Sequence, residues 1–61
     1  MKYRDFVQHL VSHGCIFARH GSRHDIYENP ANGRRAPVPR HREVPEVYVR
    51  GICKQLGIPR P

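Results

Sequence analysis

Sixty-one residues make one small domain. A chain this short buries only about 60% of the surface it exposes when unfolded, which excludes a deep cofactor cavity and leaves any active site at the surface. Eleven lysines and arginines against five acidic residues give a formal charge of +6 and a pI near 10.2. All but two of those cations are arginine, whose planar fork of donors matches phosphate oxygens in pairs, so the expected partner is a nucleic acid or another polyanion.

The first segment, Lys2 to His13, predicts a helix, because Tyr3, Phe6, Val7, Leu10 and Val11 recur at three- and four-residue spacing. Gly14 is its expected stop, and no strong N-cap is visible. Cys15 to His20 reads as a strand, Gly21-Ser22 as a tight turn, and His24 to Asn29 as a second strand. Alternation puts His24, Ile26 and Glu28 on one face of that strand and Asp25, Tyr27 and Asn29 on the other. Asn29-Pro30-Ala31-Asn32-Gly33 is dense in turn formers and reads as a hairpin loop. Arg34 to Val38 is a third strand, and Pro37 and Pro39 confine it to an edge or end it. A charged loop, Pro39 to Val44, leads to a final helix with Pro45 in its first turn, an apolar stripe of Val49, Ile52, Cys53 and Leu56, and Gly57 as stop. Gly51 inside that helix either allows close packing or is simply tolerated. Pro59 to Pro61 read as a frayed tail, so the domain spans 1–58.

Helix, three strands and helix predict an α+β fold, a three-stranded antiparallel sheet with both helices on one face, as in double-stranded-RNA-binding domains. Cys15 and Cys53 are too few for a disulfide framework and sit among apolar neighbours, so buried reduced thiols are expected. No apolar run approaches the ~18 residues that span a membrane, and Met1 to Asp5 lack the apolar core of a signal peptide. A cytoplasmic protein with no membrane partner fits these features.

Of the five histidines, His24 has the strongest chemical position. It follows a tight turn at the start of a strand, a rigid base with open access, and imidazole exchanges protons near neutral pH. Arg23 beside it, and Arg19 and Arg40 elsewhere, offer charge to a phosphate. Taken alone, these residues better describe a phosphate-contacting histidine in a non-catalytic RNA-binding module. His9 and His13, four apart on a helix, lack neighbouring ligands that would complete a metal site and read as solvated. The carboxylates show no paired arrangement suited to a metal-dependent nuclease, and no glycine loop cradles a phosphate.

The run Gly21-Ser22-Arg23-His24-Asp25-Ile26-Tyr27, then Asn29-Pro30, Val38-Pro39-Arg40-His41 and Lys54-Gln55-Leu56-Gly57-Ile58, resembles the HicA (YcfA-like) toxin family across essentially the whole chain. That resemblance implies a double-stranded-RNA-binding-like fold and a translation-independent mRNA interferase of a type II toxin–antitoxin system. It also implies a HicB-like antitoxin as partner and no cofactor or metal. It places the catalytic histidine at His24. Many members carry a second histidine just before it, where this chain has Arg23. Arg19, Arg23, Arg34, Arg35 and Arg40, with His41 near the RNA, are the expected contacts to the substrate backbone. His41 and His20 are open candidates for the general acid.

Overall fold

The N-terminal apolar stripe folds as a helix. In the computed structural model, which describes residues 1–61, α1 spans Tyr3–Ser12 and buries Phe6 and Leu10 completely. Val11 shares their spacing but lies at the margin of the stripe and is 56% exposed. No side chain caps the helix start; the extended Lys2 instead forms a bridge to Glu43 and accepts from the Phe6 N–H at 3.0 Å. The helix stops one residue short of the expected His13, which leaves helical geometry (φ −101°, ψ 19°), and Gly14 follows at φ 86°.

Three strands, β1 (Ile16–His20), β2 (His24–Asn29) and β3 (Arg34–Pro39), form an antiparallel sheet in the order β1-β2-β3. Cys15, expected to open β1, instead turns the chain, its N–H donating to the Leu10 carbonyl at 3.0 Å. β2 alternates as its sequence implies: Asp25, Tyr27 and Asn29 are buried, and His24 is exposed. Paired residues of antiparallel strands share a face. The register therefore groups Asp25 with Val38 and Tyr27 with Ala36 on the inner face, and His24 with Pro39 and Ile26 with Pro37 on the outer face.

β3 runs one residue beyond Val38, and it is the edge strand its prolines require. Pro37 and Pro39 share the backbone parity of Arg35, whose carbonyl turns away from the sheet to accept from Gln55 Nε2 at 2.9 Å. On β1 the register jumps between Phe17 and Arg19, leaving Ala18 as a bulge. Strict alternation would put Phe17 and His20 on opposite faces. The extra residue brings both to the inner face, paired with Tyr27 and Asp25.

The second helix, α2, spans Glu46–Leu56. Pro45 is its cap rather than a residue of its first turn (φ −57°, ψ 147°), and its carbonyl accepts from the Tyr48 and Val49 N–H groups. Val49, Ile52, Cys53 and Leu56 join Phe6, Leu10 and the inner face of the sheet in one core. Each fully buried leucine there contributes about 2–3 kcal/mol. Both cysteines are free and buried in this core, and burial pushes their thiols up, away from the reactive thiolate. Gly57, at φ 73° and ψ 34°, ends the helix, and Asn29 and Asn32 both donate to the Leu56 carbonyl, at 2.9 and 3.0 Å.

The charged loop after β3 is pinned along the start of α1. The Tyr3 N–H donates to the Arg42 carbonyl at 3.0 Å, and the N–H of the buried Val44 donates to the Met1 carbonyl at 2.7 Å. The tail is held at its first residue, where His9 Nε2 donates to the Pro59 carbonyl at 2.7 Å. His13 is exposed, and the half-buried His9 ring lies 4.4 Å from it between centroids. No helix is long and apolar enough to cross a membrane.

Candidate active site

The turn between β1 and β2 is closed by a 2.6 Å hydrogen bond from the Gly21 N–H to the His24 carbonyl. A Cβ on Gly21 would lie 2.9 Å from that oxygen, so a side chain at this position cannot coexist with so tight a closure. From the end of β3, Arg40 reaches across and clamps the same turn, one guanidinium nitrogen donating to the Ser22 carbonyl at 3.0 Å and the other to Asp25 Oδ1 at 3.0 Å. His24 therefore projects from a fixed backbone, exposed, on the outer face.

Asp25, its neighbour in sequence, points the opposite way. Its carboxylate is only 7% exposed and collects three partners: Tyr3 donates its hydroxyl to Oδ2 at 2.7 Å, and His20 Nδ1 and Arg40 approach Oδ1 at 2.8 and 3.0 Å. The Tyr3 and His20 hydrogen bonds, with Arg40, hold the Asp25 carboxyl below the usual carboxylate range. Burial, reinforced by that carboxylate, pushes the Tyr3 hydroxyl up, so it remains a donor at every working pH. With Nδ1 donating to Asp25 and Phe17 packed edge-on at 4.8 Å, the His20 ring has a fixed orientation and leaves Nε2 to solvent. The two imidazoles thus stand back to back at the tip of one hairpin.

Two clefts follow from this division. On the inner side, Tyr3, Asp25, Arg40, His41 and Arg42 line one of about 290 Å³. On the outer side, His24 borders one of about 310 Å³ whose other walls are Pro37 and Pro39 and the exposed flank of α2, including Tyr48, Gly51 and Gln55. The clefts share no residue.

A family model described as the HicA toxin of bacterial toxin–antitoxin systems matches residues 3–58. The chain belongs to the HicA toxin family. It is thus a toxin of a toxin–antitoxin system by family, with the α-β-β-β-α fold read from its sequence. Searches of curated proteins and of solved structures found no match.

The expected phosphate contacts of this HicA-family chain are not gathered in one place. Arg23 is exposed immediately before His24, and Arg19 lies on the outer face of β1, opposite Ile26. Arg35 is paired with Glu28 at 2.6 Å. Arg34, beside Gly57, sits at the other end of β3, five residues and roughly 17 Å along the strand from the partner of His24. Arg40 and His41 are on the Asp25 side, where Arg40 acts as a clamp. Sequence reasoning missed the His20–Asp25–Tyr3 cluster. The available signal was a carboxylate alternating onto the same face as Tyr27, since a buried Asp demands partners.

Proposed function

We propose that this HicA-family toxin is a metal-independent mRNA endoribonuclease, an mRNA interferase, with His24 as its catalytic base. The observation that carries this reading is the exposed imidazole of His24 on a turn locked by Gly21 and clamped by Arg40. His24 removes the proton of a ribose 2′-hydroxyl, and that oxygen bonds to the adjoining phosphorus. The bond from phosphorus to the 5′-oxygen breaks, leaving a 2′,3′-cyclic phosphate and, after the leaving oxygen takes up a proton, a 5′-hydroxyl. DNA lacks the nucleophile and is not cut. Arg23, directly before the base, is positioned to neutralise the phosphate, while Arg19, Arg34, Arg35, Arg40 and His41 contribute to holding the RNA backbone. General-base catalysis is worth about 10²–10⁴ in rate, so turnover is slow.

The same reading makes residues 1–58 the working domain, in the cytoplasm, with mRNA as substrate. A HicB-like antitoxin, acidic at its contact surface, neutralises it by covering His24. His24→Ala lowers RNA cleavage by 10²-fold or more with chelator present and keeps most RNA binding; wild-type cleavage by that variant would refute the assignment. The pairing of His20 with Asp25 favours a second reading, in which His20 is the reacting imidazole. In that case His20→Ala, not His24→Ala, abolishes cleavage.

A further inference from the structure

The outer cleft contains two residues that core packing does not explain. Gly51 stands in the middle of α2, where glycine is the poorest helix former except proline. Close packing does not require it: a Cβ built there meets nothing within 4 Å. Its effect is to keep open the cleft that His24 borders. Tyr48, one helical turn earlier, is 51% exposed and lines the same cleft, with no hydrogen bond to its hydroxyl. Gln55, one turn later, is fixed through Nε2 to the Arg35 carbonyl, which leaves its Oε1 free as an acceptor. Pro37 and Pro39 supply flat apolar walls, and the cleft holds about 310 Å³.

We propose that this cleft is a nucleobase subsite, which takes one unstacked base of single-stranded RNA and so places the attached ribose at His24. The proposal rests on His24 as the reacting group. Aromatic rings stack bases of any sequence, and the proline walls and the Gly51 gap leave room for a planar heterocycle. The free Gln55 acceptor faces donors on the base edge, such as an exocyclic amino group. The chain's charge of +6 fits a polymer whose backbone is anionic while its bases are flat and apolar. A base held in a duplex stack cannot enter, so the substrate is single-stranded although the fold resembles that of duplex-binding domains.

The test uses the full chain, a labelled single-stranded RNA, and its uncleavable 2′-O-methyl counterpart. Gly51→Leu fills the cleft while improving helix propensity. Its melting temperature is expected to hold or rise as kcat/KM and affinity for the uncleavable strand fall about tenfold or more. Tyr48→Ala loses about tenfold, and Tyr48→Phe, which keeps the ring, stays within twofold of wild type. Gly51→Leu and Tyr48→Ala both within twofold of wild type in binding and cleavage would overturn the subsite, as would equal affinity for a matched duplex. His24→Ala, run in parallel, separates the two ideas. If it is inactive while the cleft variants behave normally, the subsite alone falls. If it cuts normally while the cleft variants lose affinity, the subsite stands and the catalytic assignment falls.

Discussion

Asp25 gathers a phenol, an imidazole and a guanidinium around one buried carboxylate. Because these partners depress its folded-state pKa below the 3.8 of an unperturbed aspartate, its stabilising contribution is complete above that value and is lost as pH falls through the lower, folded one. Asp25→Asn therefore flattens the fall in stability below about pH 4, measured as melting temperature against pH. At neutral pH, Asp25→Ala costs about 2 kcal/mol, since Tyr3 loses its acceptor and Arg40 one of its anchors. An acid limb unchanged in Asp25→Asn would show that this carboxylate is not the group that titrates. The exposed place of His24 was legible in the sequence because it depends only on a local signal, the tight turn before β2. The His20–Asp25 pair was not, because it depends on a one-residue bulge at Ala18 that redirects His20, and alanine carries no bulge signature. Tyr48 carries no such local signal, because an exposed tyrosine on a helix gains meaning only when the opposite wall of its cleft is known.

At the scale of elements, α2 is finished by a loop from elsewhere in the chain. Asn29 bridges the Ala31 N–H and the Leu56 carbonyl, and Asn32 bridges the Arg34 N–H and the same carbonyl. The hairpin loop between β2 and β3 and the end of the helix therefore form one polar knot under Gly57. Asn29→Ala or Asn32→Ala alone costs about 1 kcal/mol, roughly 4–8 °C in a domain of this size. The double substitution costs more than the sum, because each single variant leaves the Leu56 carbonyl one donor and the double leaves none. Thermal melts of the four proteins check this, and strict additivity would contradict it. The elements were readable to within a residue at each end, since periodicity, Gly14, Gly57 and the prolines are local signals. The docking of Asn29 on α2 was not readable, since it joins positions 27 apart in sequence.

Across the whole molecule, the positive charge is largely unspent. Apart from the clamp at Asp25 and the Arg35–Glu28 pair, the only other side-chain ion pair of an arginine is an exposed 4.0 Å contact between Arg4 and Asp5, which contributes little. Binding of the uncleavable single strand is thus expected to weaken steeply with salt. If about four phosphates are engaged, log K falls with log[salt] at a slope of about −3. Fluorescence anisotropy across a salt series measures the slope, and a value near zero would contradict an electrostatic interface. Net charge was plain from composition, but its distribution over two sides of the sheet depended on the register. The same sheet has unequal margins. Along the outer side of β3, two prolines remove donors and Gln55 occupies an acceptor, while β1 leaves Ile16 and Phe17 uncovered. The prolines thus leave β3 poor in donors for a visiting strand, which guards that border of the sheet against pairing edge to edge.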